Sequence, residues 1–447
     1  MRYLFRKHKD IFLPAAVILA IAVIWIATLT IPRISRAIDD FRHRLTNEDL
    51  LYDFDYLMAL MEENFPFFGL SERVNGVDIR QLAAELRAEI EESGMTDAYD
   101  FYNAMITGFI HPIGQLGHLF FYHPSTYNDA LEAYMSQLRT LGDHERWSDW
   151  YFASTEWLML ENFTRPETLR LIRRDIPMPE VIAAMPSPLD VTGVLETDIL
   201  AEGKIAYVAV TRMANTAPHM SHIFRRTMYD FYTKIQDYEH LIIDLRGNHG
   251  GFADVFTHYV MGPIIPRTLR LTMTMFYRGG EHNLRWSDAN MRFRRAFGAV
   301  AATRQPIENM PANMPYLNQD DFKLFDYFEN VAFHISRVDW GLSFSGKVWV
   351  LIDGVTASGA EQAAIMSKYT GFATLVGEST RGMPAGPVIS VTQISLPNTG
   401  LIGRMDYGYF VDAYGRLFEG YGVTPHYFNR PGMDALETVL AMIAEGQ

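Results

Sequence analysis

The sequence predicts an α/β fold that follows a helical N-terminal region and one N-terminal transmembrane helix. Three observations indicate this: an uncharged apolar run near the N-terminus, helical spacing of apolar residues in the first third of the chain, and short apolar runs that alternate with helical patterns after residue 200. Short continuous apolar strands separated by helices are typical of a buried, largely parallel sheet. We therefore expect an α/β core built on such a sheet.

The apolar run covers residues 11–31, IFLPAAVILAIAVIWIATLTI, and spans 21 uncharged positions. At about 1.5 Å per residue, a helix of this length crosses the roughly 30 Å hydrocarbon core of a bilayer. A cleaved signal peptide would have a shorter apolar region, of about 7 to 15 residues, that ends in small residues. The run therefore favours an uncleaved membrane anchor.

Basic residues flank the run on both sides, so their number does not decide its orientation. Four precede it and four follow it: Arg2, Arg6, Lys7 and Lys9, then Arg33, Arg36, Arg42 and Arg44. The short basic tail, residues 1–10, favours a cytoplasmic N-terminus. We therefore expect a single-pass protein of the cell membrane with residues 32–447 outside the cell.

The composition is that of a globular protein and excludes several functional classes. Hydrophobic residues make up 48% of the chain and charged residues 21%, which excludes an intrinsically disordered chain. The net charge of -14 argues against a nucleic-acid partner, because an acidic protein gains nothing from the release of phosphate counterions. The absence of cysteine excludes disulfides, thiol nucleophiles and thiolate metal sites.

Changes of periodicity divide the remainder of the chain. Apolar residues recur at helical spacing from Leu50 to Met61, and apolar runs of strand length begin after residue 200. The predicted segments are a juxtamembrane linker 32–48, an N-terminal helical domain 49–124, a helical insertion of unknown role 125–200, the α/β core 201–430 with its own insertion 279–345, and a C-terminal helix 431–447. The predicted core strands are 205–210, 240–246, 347–353, 373–377 and 388–396.

A candidate nucleophile lies where a predicted buried strand ends at Asp353 and Ser358 begins a helix. Unpaired N–H groups and the positive end of the helix dipole favour negative charge at such a helix start. The same residues have a purely structural interpretation, because Ser358 followed by Glu361 is the pattern of a capping box. This segment alone leaves both interpretations open.

A second segment, LIIDLRGNHGGF, favours the catalytic interpretation. In it a strand leads into a turn with two adjacent glycines, Gly250 and Gly251. Adjacent glycines let the backbone turn its N–H groups toward a ligand, as an oxyanion hole requires.

Six motifs, in order along the chain, resemble those of the tail-specific, or C-terminal processing, serine peptidases and of their tricorn-core-like branch. They are NFPFFG with the following GVD, QLGHL, LIIDLRGNHGG, TASGAEQAA, LVGESTRG and EGYGVTP, and they cover about residues 49–120 and 200–430. The resemblance implies a crotonase/ClpP-like α/β core. It also implies hydrolysis of protein or peptide substrates through an acyl-enzyme, without a cofactor.

By motif position, the resemblance implies Ser358 as the nucleophile, with oxyanion donors at Gly359 and at Gly250 or Gly251. In the common branch of the family a lysine base lies 25 positions after the serine, and here that position is Met383, whose thioether cannot accept a proton. Lys368 is ten residues from the serine in the same predicted helix, about 15 Å along its axis, and lies too far away to replace that base.

The tricorn-like branch uses a histidine from the segment before the core, and QLGHL implies His118 for this role. It also uses a glutamate just before a GVxP segment, which implies Glu419. His111 and His249 are weaker candidates for the base. His111 and His118 flank a proline and two glycines, so they lack the fixed i, i+4 geometry of a zinc helix, which argues against a metal site.

These features predict a membrane-anchored, extracytoplasmic serine endopeptidase in which Ser358 attacks, His118 transfers the proton and Glu419 orients the site. The main alternative is a catalytically inactive protein that binds peptides or other ligands on the same fold. Two departures from the family favour that alternative: Met383 in place of the lysine, and the lack of a recognisable PDZ module in residues 125–200. An acyl-CoA enzyme of the crotonase type is disfavoured, because the predicted core lies outside the cell.

Overall fold

A six-stranded sheet, parallel except at one edge, is the central feature of the chain after residue 194. The computed structural model describes residues 44–141, 155–174, 176–183, 193–213, 218–296, 303–310, 314–386 and 390–447. Its strands are β1 (Phe120–Phe121), β2 (Leu195–Ala201), β3 (Ile205–Val210), β4 (His240–Asp244), β5 (Leu269–Tyr277), β6 (Gln305–Pro306), β7 (Tyr327–Ile335), β8 (Lys347–Ile352), β9 (Thr374–Gly377), β10 (Val391–Ser395), β11 (Ile402–Asp406), β12 (Tyr409–Val411) and β13 (Tyr427–Phe428). The six-stranded sheet has the order β13-β9-β8-β4-β3-β2, and only β2 runs antiparallel to its neighbour.

Helices flank this sheet and make up most of the described N-terminal region. The α-helices are α1 (Asn47–Asn64), α2 (Phe68–Asn75), α3 (Ile79–Ser93), α4 (Ala98–Met105), α5 (His111–Ile113), α6 (Tyr127–Leu141), α7 (Thr155–Phe163), α8 (Pro166–Ile172), α9 (Glu180–Ala183), α10 (Pro218–Lys234), α11 (Glu281–Ala296), α12 (Gln319–Phe322), α13 (Ser358–Tyr369) and α14 (Ala435–Ala444). Short π-helices lie at Ile106–Ile110 and Val255–Met261, and 3-10 turns lie at Leu116–His118, Pro124–Thr126 and Ile307–Asn309.

The two faces of the central sheet bury separate apolar cores. Successive strand residues point to opposite faces, so Ile243 and Val350 belong to the larger core while their neighbours Ile242 and Leu351 belong to a smaller one. The larger core includes residues of α10 and α13, and the smaller one includes Val439 and its neighbours on α14. Burial of each such side chain contributes about 1.5 to 3 kcal/mol, which fixes the position of the strands relative to the helices.

The structure confirms four of the predicted strands in this sheet, 205–210, 240–246, 347–353 and 373–377, as the adjacent strands β3, β4, β8 and β9. The fifth run, 388–396, contributes β10 to a different sheet, where it pairs antiparallel with β11 in the order β1-β11-β10. An apolar run predicts a buried strand but does not reveal its partner, which explains the difference.

Helices α1 to α5 lie in the region predicted as the N-terminal helical domain, and the stripe from Leu50 to Met61 is buried. Its apolar core is continuous with residues of the β1-β11-β10 sheet, including Ile402 and Met405. Helix α1 begins at Asn47, inside the predicted linker, because Thr46 and Asp49 form a capping box there. The helical domain therefore packs directly on the core.

Two predicted insertions contain strands of the core sheets. The segment 279–345 includes β7, which pairs with β5 over nine residues in the four-stranded antiparallel sheet β12-β5-β7-β6. The described part of the segment 125–200 is mostly helical, as expected, but it ends in β2, which forms the antiparallel edge of the central sheet. The predicted C-terminal helix is α14.

The predicted anchor 11–31 and the tail 1–10 lie outside the described residues. From Arg44 onward, no helix of the described ranges combines the length and the apolar character that a membrane span requires.

Candidate active site

Ser358 is the first residue of α13 and follows the loop at the carboxyl end of β8. Asp353 fixes this loop, because its Oδ1 accepts the N–H groups of Val355 and Thr356 at 3.0 and 2.9 Å. Ligands of open parallel sheets bind beyond the carboxyl ends of the strands, where this loop lies. The φ of Ser358 is 51°, a left-handed value that costs a residue with a Cβ free energy and that is concentrated at functional sites.

The structure contradicts a capping box between Ser358 and Glu361. The N-cap of α13 is Ala357, and no side chain caps the helix there. The Glu361 carboxylate instead accepts the hydroxyl of Thr380 at 2.7 Å and the N–H of Met383 at 2.9 Å. Stabilisation of the helix start therefore does not account for the serine hydroxyl.

His118 lies next to the nucleophile candidate, with its Nε2 3.1 Å from Oγ of Ser358. The histidine ends the 3-10 turn Leu116–His118 and has a φ of 47°, so both residues of the pair occupy the left-handed region. The two residues are 240 positions apart in the chain. Strand pairing explains how the N-terminal domain brings the histidine to this place.

Strand β1 begins two residues after His118 and pairs antiparallel with β11, with Phe120 opposite Arg404. Continuing this register by two positions puts His118 opposite Asp406, the last residue of β11. Nδ1 of His118 lies 2.7 Å from Oδ2 of Asp406, and both side chains are buried. Since a carboxylate accepts hydrogen bonds, Nδ1 carries the hydrogen, and Nε2 remains free to accept the hydroxyl of Ser358.

Asp406 is not among the residues predicted from the sequence. Its local signal is a single carboxylate within the largely apolar segment LIGRMDYGYF, where it is the last residue of β11. Such a carboxylate requires a partner when it is buried, which would have marked it as a candidate.

Glu419, predicted to orient the site, contacts the backbone beside the histidine and not its ring. Its Oε1 accepts the N–H of Gly117 at 2.7 Å. Burial, and to a smaller extent the charges of Asp406 and Glu361, hold the pKa of Glu419 well above its usual value. The ring of His118 contacts Asp406 and not Glu419. An orienting effect of Glu419 therefore has to act through the turn that carries the histidine. This role of Glu419 stays a prediction.

The backbones of Gly250, Gly251 and Gly359 pack closely together beside Ser358. A Cβ on Gly250 would lie 2.6 Å from Cβ of Ser358, and a Cβ on Gly359 would lie 2.3 Å from the carbonyl oxygen of Gly251. Only glycine allows this approach, and the φ values of 97° and 121° at Gly250 and Gly251 require it as well.

The N–H groups of these glycines differ in their availability. The N–H of Gly250 donates to Oδ1 of Asn248 at 2.8 Å. The N–H groups of Gly251 and Gly359 have no acceptor within the described part of the chain. Of the two alternatives left open by the sequence, the geometry therefore favours Gly251, together with Gly359, as the pair of oxyanion donors.

The other candidate residues do not bond to Ser358 through their side chains. His111 and His249 are exposed, and Nζ of Lys368 donates to the carbonyl oxygen of Thr424 at 2.6 Å. Met383 contacts the nucleophile candidate through its backbone, since its carbonyl oxygen accepts the Ser358 N–H at 2.7 Å. In the described ranges, no cluster of three or more histidine or carboxylate residues has a geometry that would hold a metal ion.

The family model of peptidase family S41 matches residues 204–428, which is half of the chain and includes the serine, the glycine turn, Asp406 and Glu419. The chain belongs to peptidase family S41. The S41 peptidase is therefore a serine peptidase with a mixed α/β fold, and the resemblance to C-terminal processing peptidases is confirmed.

The S41 peptidase is similar to several solved structures. Mature CPAF complexed with lactacystin matches with a TM-score of 0.50 and 14% identity, over 90% of this chain and 97% of that chain. A Parabacteroides merdae ATCC 43184 protein named as a peptidase matches with a TM-score of 0.49 and 15% identity, over 90% and 96% of the two chains. The photosystem II D1 C-terminal processing protease matches with a TM-score of 0.30 and 15% identity, over 51% and 43%. No curated protein matches the sequence.

In the S41 peptidase, Glu361 fixes the segment that lies against the nucleophile. Its carboxylate accepts the hydroxyl of Thr380 and the N–H groups of Gly382 and Met383, and Met383 in turn binds the N–H of Ser358. Burial raises the pKa of Glu361 to about 7, although these hydrogen bonds act in the opposite direction. The Glu361 side chain is therefore needed as a hydrogen-bond acceptor, but its ionisation in this buried position costs free energy.

We expect this cost to appear in the pH dependence of stability. Because the pKa of Glu361 is raised from 4.5 to about 7 on folding, its contribution is fully present below the lower value and is lost as the pH rises through the upper one. At 1.36 kcal/mol per pKa unit the loss is on the order of 3 kcal/mol. Urea unfolding between pH 4 and pH 8 should show that the wild type loses more stability than Glu361→Gln by about this amount. The exposed Glu89→Gln should follow the wild type, and parallel curves for wild type and Glu361→Gln would contradict the expectation.

Proposed function

We propose that this S41 peptidase is a membrane-anchored, extracytoplasmic endopeptidase that cleaves peptide bonds through an acyl-enzyme formed on Ser358. The observation that carries the proposal is the continuous contact from Oγ of Ser358 to Nε2 of His118 at 3.1 Å, and from Nδ1 of His118 to Asp406 at 2.7 Å. Nucleophile, base and orienting carboxylate within hydrogen-bond reach are the arrangement that activates a serine hydroxyl.

In the first half of the reaction, Oγ of Ser358 attacks the carbonyl carbon of the scissile bond while Nε2 of His118 accepts the hydroxyl proton. The tetrahedral oxyanion accepts hydrogen bonds from the N–H groups of Gly251 and Gly359. The imidazolium, stabilised by Asp406, then donates its proton to the leaving amine as the C–N bond breaks. The products of this half are the acyl-enzyme and the free amine.

In the second half, a water molecule attacks the acyl carbon and His118 accepts one of its protons. Collapse of the second tetrahedral species breaks the ester bond, and the proton returns to Oγ of Ser358. The serine and the neutral histidine are restored, so each cycle consumes one water. This sequence uses no lysine, and Met383 is a spectator that contributes only its backbone carbonyl to the positioning of Ser358.

The acidic partner of the histidine can be identified by comparing two variants. Asp406→Asn should lower kcat by about 10⁴-fold, because an amide favours the wrong tautomer of the imidazole and does not stabilise its charge. Glu419→Gln should cost much less, since its side-chain oxygen can still accept the N–H of Gly117. The measurement is turnover of a fluorogenic peptide by both purified full-length variants. Full activity in Asp406→Asn, or an equal loss in both, would contradict a Ser–His–Asp arrangement.

The membrane part of the proposal rests on the apolar run 11–31. With the anchor in the membrane and the tail 1–10 inside, the peptidase faces extracytoplasmic proteins or peptides. Protease added to intact cells should degrade residues 32–447, and lysis should not be needed. A domain that is degraded only after lysis would reverse this topology without changing the chemistry of the site.

A further inference from the structure

We propose that Asn248 is a positioning residue that determines which glycine N–H faces the oxyanion. It does so by holding the N–H of Gly250 away from the reaction centre, so that the N–H of Gly251 is presented next to Gly359. The inference rests on the proposed acyl-enzyme function and extends it to a residue that does not touch the substrate.

Asn248 is completely buried and connects three parts of the site. Its Oδ1 accepts the N–H of Gly250 at 2.8 Å, and its Nδ2 donates to the carbonyl oxygen of Val210 at the end of β3 at 2.7 Å. Its backbone oxygen accepts the N–H of Ala357, the residue before the nucleophile, at 3.1 Å. The amide thus anchors the glycine turn to the sheet and to the start of α13.

The glycine turn needs such an anchor because glycine peptides reorient easily. Gly250 and Gly251 both have positive φ, and without side chains they can exchange this conformation for others at little cost. The peptide that carries the Gly251 N–H is held on its other side, where the carbonyl oxygen of Gly250 accepts the N–H of Met213 at 3.1 Å. If the turn rotated, a carbonyl oxygen would replace the N–H and would repel the developing oxyanion.

The expected effect follows from the value of one oxyanion donor. Removal of such a donor lowers kcat by about 10²- to 10³-fold. Loss of the anchor leaves the donor present but poorly oriented, so Asn248→Ala should lower kcat by about 10- to 100-fold. Because an oxyanion donor acts mainly on the charge that develops in the transition state, KM should change by less than about threefold.

Two comparison variants separate positioning from stability. Asn248→Ser retains a hydroxyl that can accept the N–H two residues later, as serine does in turns, but it loses the bond to Val210. Asn64→Ala is the matched control, because Asn64 is equally buried and has the same pattern of bonds: Nδ2 to the carbonyl oxygen of Leu60 at 2.8 Å and Oδ1 to the N–H of Asn283 at 3.0 Å. It lies in the helical domain, outside the proposed catalytic machinery.

The experiment measures kcat and KM of the full-length variants with a fluorogenic peptide derived from a casein fragment that the wild type cleaves. We expect Asn248→Ala to lose kcat, Asn248→Ser to recover most of it, and Asn64→Ala to keep wild-type kcat despite a similar loss of stability. Wild-type kcat in Asn248→Ala, or an equal loss in Asn64→Ala, would overturn the inference.

A second measurement does not depend on whether Asn248→Ala folds. In a crystal structure of the wild type with a fluorophosphonate adduct, the phosphonyl oxygen should accept the N–H groups of Gly251 and Gly359, with Gly250 still bound to Asn248. An oxygen bound to the N–H of Gly250 would overturn the inference while leaving the acyl-enzyme function intact. A wild type that neither hydrolyses peptide nor reacts with fluorophosphonate would instead refute the proposed function itself.

Discussion

Replacement of Ser358 by alanine should lower peptide turnover by about 10⁶-fold, the size of effect seen when the nucleophile of a serine peptidase is removed. The fold should survive the change. The N-cap of α13 is Ala357, and no side chain caps the helix, so the variant avoids the 0.5 to 2 kcal/mol that loss of a capping side chain typically costs. The alanine variant should therefore unfold close to the wild-type temperature while hydrolysis is lost.

The same helix offers a matched control for this variant. Ser367 is completely buried in α13, and its hydroxyl has no hydrogen-bond partner among the described residues. Ser367→Ala should be neutral or slightly stabilising, because it removes an unsatisfied polar group. Turnover of a peptide substrate and thermal unfolding of both variants provide the check. Residual hydrolysis of more than a few per cent in Ser358→Ala would show that another residue forms the acyl-enzyme.

Replacement of His118 by glutamine should cause a loss of similar size, since the serine and its base act as one unit. Glutamine fills the space but does not accept the hydroxyl proton. The measurement is the rate of peptide hydrolysis by the wild type and the variant at one fixed pH.

Three further variants make this test specific to one imidazole. His111→Gln and His249→Gln alter exposed histidines with no side-chain contact to the nucleophile, so both should keep wild-type turnover. Met383→Leu nearly conserves volume and keeps the backbone carbonyl that binds Ser358, so its activity should change little. Wild-type turnover in His118→Gln would refute the base, and the histidine whose variant loses activity would take its place.

The sequence was sufficient for those parts of the fold and site that depend on local patterns. The four strands of the central sheet are short apolar runs, and the helix start at Ser358 follows a strand and a turn, so each could be predicted from neighbouring residues. The position of His118 could be predicted only because QLGHL resembles a family motif. A buried histidine without that context is usually structural.

The pairing of Asp406 with His118 could not be predicted, because it depends on strand register. It meets His118 across 288 positions of sequence, and this pairing exists only because β1 and β11 are in one particular register. A shift of one residue would have turned the carboxylate to the other face of the sheet. Neither strand carries a local signal for its partner.

Glu361 shows how a correct pattern can lead to a wrong interpretation. The spacing of Ser358 and Glu361 fits a capping box, but the positive φ of the serine and the buried N–H groups of Gly382 and Met383 give both side chains other partners. The sequence also left open whether Gly250 or Gly251 donates to the oxyanion, because local patterns do not show the partners of their N–H groups. The two residues are chemically identical, and only the side chain of Asn248 distinguishes their N–H groups.

The alternative of an inactive binding protein rested partly on Met383 in place of the family lysine. The geometry answers that part of the argument, because Nε2 of His118 lies within hydrogen-bond distance of the serine hydroxyl and the ring contacts a buried carboxylate. The arrangement that we propose therefore needs no lysine.

Reaction with a fluorophosphonate tests the activated serine most directly, because the probe reports nucleophilicity without requiring knowledge of the substrate. Mass spectrometry of the labelled full-length protein should find a single adduct on Ser358. Asp406→Asn should slow its formation, and Ser358→Ala should abolish it. A folded wild type that does not react, or equal labelling of wild type and Ser358→Ala, would contradict Ser358 as the nucleophile of this peptidase.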